Sequence, residues 1–296
     1  MRILDRVAAM TMLLLALALT GSALAGCAAT PATRSDRNPD SPPLAGAGVG
    51  PESAAIGLVN LWRVSGAAGE GVDTWLRLDV PEFQLWSDCG LVVGSWLTTE
   101  TLFVATTSGA SSGCASGGGI PGVPWLESVV SYSASGDGWQ LSNSDGEVVA
   151  TLTLDGAPEP DPNAAEIYTK PPVITDAVRA AMHQAAAVPP GLTPATGDEL
   201  IGRWVPVAYS VSTGPHVVFN ADGTWTGSDG CNGGGGRWVA DDAGAFLAAA
   251  GPSTLMGCEG APVPYWVAQA RSAVIDDGWL LLLDASGSEV GRLERG

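Results

Sequence analysis

The feature that most constrains the fold is an internal repeat, because two segments of the chain carry the same landmarks in the same order. The segments run from about Ile56 to Leu154 and from about Leu200 to Glu294. Each opens on an apolar stretch with a tryptophan and closes on an apolar run, a Ser/Asp/Gly turn and a second, alternating run. That closing pattern is typical of a β-hairpin. The repeat predicts two similar folded units in one chain.

The closing hairpins give the best match between the repeats. The stretch from Gly136 to Leu152 begins GDGW, and the stretch from Asp276 to Leu293 begins DDGW. Other turn signals, such as NADG and DDAG, recur every ten or so residues and favour antiparallel strands. In the second repeat, apolar residues at helical spacing after Pro264 predict one helix. The matching stretch of the first repeat, WLESVVSYS, is β-branched, so it remains open to helix or strand.

The predicted fold class is therefore α+β, with two tandem, mostly antiparallel β modules that each have about one helix. A linker joins them and contains a further helix. We place that helix within Val173–Gly191, capped by Thr175 or Asp176 and ended by the two prolines before Gly191. The sequence does not decide whether this helix packs on a module or acts as a spacer.

The N-terminus is typical of an export signal. Basic residues at the start are followed by the apolar run Val7–Leu19 and by small residues. The ending LAGC, Leu24–Cys27, resembles a bacterial lipobox. That resemblance implies a diacylglyceryl group on the Cys27 thiol and cleavage just before it, so that the protein is anchored to the extracytoplasmic face of the cell membrane. The alternative is an ordinary signal peptide followed by an unrelated cysteine.

These patterns divide the chain into five parts. The stretch after Cys27 is rich in Pro, Ser, Asp and Ala without apolar periodicity, which indicates a disordered tether. The predicted parts are a lipoprotein signal peptide (1–26), the tether (27–53), a diverged first module (54–155), the linker with its helix (156–198) and a second module (199–296).

The cysteines fit this division. With Cys27 assigned to lipid, the remaining four fall two to a repeat at nearly equal spacing. An exported protein works in an oxidising space, where an even set of cysteines indicates disulfide bonds. We therefore predict the pairs Cys89–Cys114 and Cys231–Cys258.

The second repeat resembles the META domain, the module of HslJ-type lipoproteins. The resemblance lies in LIGRWVPV, in the stretch from Val217 to Trp238, and in STLMGC. Two motif elements match, Gly-Cys-Asn and Thr-x-Met-x-Cys, through Gly230, Cys231, Asn232, Thr254, Met256 and Cys258. The first repeat has DCG without the Asn, and SSGC without the Thr and Met, as a diverged copy would.

The resemblance implies a small mixed fold in an exported or envelope protein, linked to stress, motility or secretion and without accepted catalytic activity. Asn232 also has an interpretation of its own. Beside Gly233 it suits a turn and can hydrogen-bond nearby backbone, with a ligand contact as the alternative.

Other chemistry is poorly supported by the sequence. The net charge of −18 argues against nucleic-acid binding. The chain has only two histidines, so clustered zinc ligands are not expected. GASSG, Gly109–Gly113, fits a nucleophile-elbow pattern, but CASGGGIPG follows it instead of the required helix. Acidic turns such as NADG lack the ligand alternation and closing Glu of a calcium loop. We expect no catalytic residues, no metal and no cofactor.

The function expected from the sequence is that of a non-catalytic, lipid-anchored cell-envelope protein with a binding or structural role related to the envelope or to stress. Its expected partners are the membrane, through the anchor, and an envelope protein or cell-wall component. The alternative is an inhibitor or chaperone-like factor that acts on a secreted enzyme.

Overall fold

The computed structural model describes residues 53–296, apart from residues 112, 116–118, 161–163, 210–212 and 258. The predicted signal peptide, the tether up to residue 52 and the lipidation residue Cys27 lie outside these residues. All the described residues belong to one compact unit of the chain, Val49–Gly296.

Two antiparallel sheets make up most of the structure, as the predicted β-rich α+β class requires. The first has the spatial order β5-β4-β3-β2-β1-β8-β7-β6. Its strands are β1 (Leu61–Ser65), β2 (Trp75–Leu78), β3 (Glu82–Ser87), β4 (Gly90–Thr98), β5 (Phe103–Ala110), β6 (Ser131–Ser135), β7 (Gly138–Ser142) and β8 (Val148–Thr153).

The second sheet has the order β14-β13-β12-β11-β10-β17-β16-β15-β9. Its strands are β9 (Thr193–Pro194), β10 (Gly202–Pro206), β11 (His216–Phe219), β12 (Thr224–Ser228), β13 (Gly233–Ala240), β14 (Phe246–Ala250), β15 (Ser272–Asp276), β16 (Trp279–Leu283) and β17 (Glu289–Arg295). The α-helices of the described part are α1 (Pro124–Glu127), α2 (Asp176–Ala181), α3 (Gly197–Leu200) and α4 (Val263–Gln269), and 3-10 turns cover Ala54–Leu58 and Glu166–Thr169.

The two sheets share one topology. Apart from β9, each strand of the second sheet occupies the place of its counterpart in the first, so that β10 stands where β1 does and β17 where β8 does. The segment WLESVVSYS, left open by the sequence, splits into α1 and β6, the counterparts of α4 and β15. Both closing hairpins also contain a register shift, after Leu141 and after Leu282.

Each half begins with the same tryptophan contact. The indole Nε1 of Trp62 donates a hydrogen bond of 2.7 Å to the carbonyl of Leu58, and that of Trp204 donates one of 2.7 Å to the carbonyl of Leu200. Both indoles are buried. Burying the ring while satisfying its N–H ties the turn before the first strand to the apolar interior.

Each sheet also curls until its ends meet. Leu102 forms an isolated bridge with Ser131, and Ala245 forms one with Ser272. The apolar side chains enclosed in this way form one main cluster in each half. A smaller cluster, which includes Val104 and Leu247, lies where the two halves touch.

The structure corrects the match between the closing hairpins by one residue. Ala134 pairs with Trp139 and Ile275 pairs with Leu280, so Leu280 stands in the place of Trp139. Within these hairpins the second repeat follows the first at an offset of 141 residues (272 − 131). Because neighbouring residues of a strand point to opposite faces, Leu280 is buried while Trp279 faces outward and is 37% exposed.

The linker packs on both halves. Its helix α2 is shorter than the predicted helical stretch, and the hydroxyl of Thr175 accepts the N–H of Val178 as a cap. Val178 and Met182 pack on the first main cluster. Further along, Leu192 packs on the outer side of the second sheet, and β9 extends that sheet beside β15.

Upstream of α2, the linker also covers the outer face of the first sheet. Tyr168 packs beside Trp75 and Trp86, and its carbonyl accepts a hydrogen bond from the Trp86 indole. The buried guanidinium of Arg77 donates to the carbonyl of Lys170 at 2.9 Å.

Candidate functional site

The hairpin between β12 and β13 carries the Gly-Cys-Asn element, and a carboxylate organises its tip. Asp229 Oδ1 accepts the backbone N–H groups of Cys231 at 2.8 Å and Asn232 at 2.6 Å. This is the local side-chain turn that aspartate favours. Burial raises the pKa of Asp229, but hydrogen bonds from Asn232 and Cys231 outweigh that effect and hold it below its ordinary value.

The Asn232 side chain joins this tip to the loop that follows β14. Its Nδ2 donates to Asp229 Oδ2 at 2.8 Å and to the Met256 carbonyl at 2.8 Å, and its Oδ1 accepts the Met256 N–H at 2.6 Å. Asn232 is 8% exposed. We call residues 251–257 the clamp loop, because one amide side chain binds both backbone groups of a residue within it.

Gly230 is required by the same tip. Its φ is +109°, and a Cβ there would lie 2.3 Å from Thr213 Oγ1. A side chain at this position meets both backbone strain and a steric clash. The backbone conformation and the close approach of Thr213 therefore explain why the motif has glycine at position 230.

The clamp loop holds its backbone in place and exposes its side chains. Leu255 is 96% exposed and Met256 is 59% exposed, and Thr254 is exposed as well. Ser253 Oγ donates to the Gly233 carbonyl at 2.9 Å, a second tie to the β13 end of the hairpin. The Thr-x-Met-x-Cys element thus presents apolar side chains to solvent from a fixed main chain.

The first half joins the corresponding parts by a covalent bond. The predicted Cys89–Cys114 disulfide is present, with a Cα–Cα distance of 4.8 Å. It links the β3–β4 tip to the loop after β5. In the second half Cys231 is disulfide-bonded, and its predicted partner Cys258 lies outside the described residues. Hairpin tip and following loop are tied together in both halves.

No family model, curated protein or solved structure matches this chain.

The remaining sequence candidates lie apart from this site. Ser111, the central serine of GASSG, accepts the Leu91 N–H at 3.0 Å, a structural contact between β4 and the end of β5. His216 lies at the start of β11, and His183 follows α2. Within the described part of the chain, no group of three His, Cys, Asp or Glu residues is arranged to hold a metal ion. In that same part no helix is long and apolar enough to cross a membrane.

Sequence reasoning missed two features of the site. Asp229 stood out only as a possible calcium donor in an acidic turn, and its role in organising the hairpin tip was not predicted. Met256 binds Asn232 through its backbone N–H and carbonyl, while its side chain stays exposed. No local sequence signal shows whether a motif methionine acts through its backbone or through its side chain. As it stands, the site offers rigid apolar contact surface.

Proposed function

We propose that this chain is a lipid-anchored, exported cell-envelope protein, built of two META-like modules, that acts by binding and not by catalysis. The observation that carries the proposal is the Cys89–Cys114 disulfide. Structural disulfides persist in oxidising compartments outside the cytoplasm. The same compartment is implied by the apolar N-terminal run and the LAGC sequence that ends at Cys27.

Two further observations support the module assignment. The sheets share a strand order, and each half has its own main apolar cluster. Both halves also tie a hairpin tip to the following loop at the place where the META-like motif elements lie in the second half. The two halves also contact each other, with Ser95 Oγ donating to the Ala250 carbonyl at 2.7 Å.

Replacing Cys27 tests the anchor. We expect Cys27→Ala to lose incorporation of a labelled fatty acid, because the thiol that accepts the lipid is lost. The measurement is metabolic labelling with the fatty acid, followed by immunoprecipitation of the protein. Ala28→Ser is the matched control and should keep the label. A Cys27→Ala protein that is labelled like the wild type contradicts the assignment.

The clamp loop favours a second candidate, an inhibitor or chaperone-like factor for a secreted enzyme. An exposed leucine on a loop whose backbone is already fixed loses little conformational freedom on binding. Inhibitors commonly present such preorganised contacts. In either role Leu255 is the expected contact residue.

Leu255→Asp tests that contact. We expect affinity for the partner to fall about tenfold or more, because a buried leucine contributes roughly 1.5–3 kcal/mol and a charge in its place opposes burial. The partner is isolated from envelope extract and titrated as a purified protein. Thr254→Asp adds the same charge one residue away and should have a smaller effect. Equal affinities for wild type and Leu255→Asp contradict the role, and loss of an enzyme's activity on titration distinguishes the inhibitor from a structural partner.

A further inference from the structure

A cavity of about 740 Å³ lies between the two halves. Its walls come from the β4–β5 turn (residues 98–101), the end of α2 with the segment after it (residues 180–188), the β13–β14 turn (residues 241–245), the stretch from α4 into β15 (residues 268–272) and the β16–β17 turn (residues 284–286). Binding sites for small molecules occur preferentially in clefts between packed units. We call this cavity the inter-sheet cleft.

One cation lines the inter-sheet cleft. Arg271 is half-buried, and its Nη1 donates to the carbonyls of Ala268 at 3.1 Å and Ala270 at 2.8 Å, at the C-terminal end of α4. Among the described residues no carboxylate forms an ion pair with Arg271, and only Nη1 has side-chain hydrogen-bond partners. Burial lowers the pKa of Arg271. A guanidinium that is partly shielded from water and has no counter-charge favours the approach of an anion.

Two of the acidic residues at the cleft wall are committed to their own turns. Asp241 Oδ1 accepts the N–H groups of Ala243 and Ala245, and Asp284 Oδ1 accepts those of Ser286 and Ser288. The other cleft carboxylate belongs to Glu100, in the β4–β5 turn. None of the three forms an ion pair with Arg271. The cation therefore keeps donors free for an acceptor from outside the protein.

The rest of the cleft wall suits a small apolar body. Residues 180–188 contribute mostly alanines, together with His183 and Gln184, and hydroxyl groups come from the turns. Arginine matches a carboxylate well, since its planar fork can donate two parallel hydrogen bonds. An alanine wall leaves room beside that fork without adding charge.

We propose that the inter-sheet cleft binds a carboxylate-bearing ligand, with the carboxylate on Arg271 and the apolar part of the ligand against the alanine wall. Two sources share this chemistry: a free small organic acid and the C-terminal carboxylate of a peptide. The proposal goes beyond the proposed function, because it holds whether or not Cys27 carries lipid.

The test uses the full chain, purified in detergent, and two pairs of probes. N-acetyl-alanine is compared with N-acetyl-alaninamide, and acetyl-tetra-alanine is compared with its C-terminal amide, by calorimetric or NMR titration. We expect each acid to bind about tenfold or more tightly than its amide, since hydrogen bonds to a charged group are lost in the amide. Tighter binding of the tetrapeptide acid indicates a peptide terminus, and tighter binding of the short acid indicates a small molecule.

Variants then assign the contact. Arg271→Gln should lose about tenfold or more in affinity for the acids, and Arg271→Lys should lose part of it, because a point charge replaces the fork. Arg203→Lys, at an exposed position of β10, is the matched control and should bind as wild type. Arg271 also caps α4, so its replacement can lower stability as well as binding. Ala187→Trp is therefore a second test, because it narrows the cleft and leaves Arg271 in place. It should weaken binding with little change in Tm. Equal affinity for acid and amide, wild-type affinity in Arg271→Gln, or no binding at millimolar probe overturns the proposal.

Discussion

Replacing Cys89 and Cys114 together with alanine is expected to lower the free energy of unfolding by about 3–4 kcal/mol. The bond closes a loop with a sequence separation of 25 and ties the β3–β4 tip to the segment after β5. Without it the unfolded chain gains conformational freedom, and the loop after β5 loses its attachment to the tip. Denaturant unfolding followed by tryptophan fluorescence measures the change.

Adding a reductant separates the contribution of the Cys89–Cys114 bond from that of the bond that involves Cys231. Added to the double variant, it removes only the bond that involves Cys231, so the two contributions are measured separately. Substitution of surface residues without such roles changes stability by about 0.5 kcal/mol or less. A double variant as stable as the wild type to within that margin contradicts the prediction, as does non-reducing peptide mapping that joins Cys89 to Cys231.

The strands and the disulfide could be predicted from the sequence, because turn residues mark the strand ends locally and the cysteines can be counted and their spacing compared. Turn residues such as those around Gly146 and Gly287 punctuate the apolar runs, and both adopt positive φ in the closing hairpins. The Cys89–Cys114 pair followed from the nearly equal cysteine spacing in the two repeats. Each inference needed only a short stretch of chain or a simple count.

The pairing register of the closing hairpins could not be predicted, because it depends on the conformation of the turn that joins the two strands. The tryptophans in GDGW and DDGW look equivalent, but Trp139 pairs with Ala134 and Trp279 with Asp276. A slip of one residue moves a side chain to the other face of the sheet. Arg292 then stacks over the exposed ring of Trp279, at 5.1 Å from its centroid.

The packing of the linker was also beyond sequence patterns. Tyr168 and Leu192 are isolated apolar residues without periodicity, and the helical spacing that includes Val178 does not show which module that helix contacts. Each of the three residues packs on a surface formed by distant parts of the chain. The buried Arg77 on β2 pairs with Asp79 at 2.8 Å and holds the Lys170 carbonyl. A charged residue in a strand gives no sign that it will be covered in this way.

Only the local part of the candidate site could be predicted from the sequence, because its other contacts join distant parts of the chain. The position beside Gly233 predicts that the Asn232 side chain hydrogen-bonds nearby backbone, but it bonds the Asp229 carboxylate and the backbone of Met256. Its contacts with Met256 join residues 24 positions apart, so they depend on the pairing of β13 with β14.

Replacing Asn232 with alanine is expected to lower the free energy of unfolding by about 2–3 kcal/mol. The change removes three side-chain hydrogen bonds and leaves the N–H and carbonyl of Met256 without these partners. A lost hydrogen bond costs about 0.5–1.5 kcal/mol, and a buried group left unsatisfied costs more. Denaturant unfolding measures the loss, and amide hydrogen exchange at Met256 should become faster in the variant.

Thr254→Ala separates the clamp from the rest of the motif. Thr254 is exposed on the same loop, so we expect its replacement to leave stability within about 0.5 kcal/mol of wild type. Asn232→Asp keeps the size of the side chain but replaces the amide donor with a second carboxylate beside Asp229. It should therefore destabilise like Asn232→Ala above the pH at which that carboxylate ionises. Wild-type stability in Asn232→Ala, or a loss in Thr254→Ala as large as in Asn232→Ala, would mean that the motif fixes the loop through something other than the amide of Asn232.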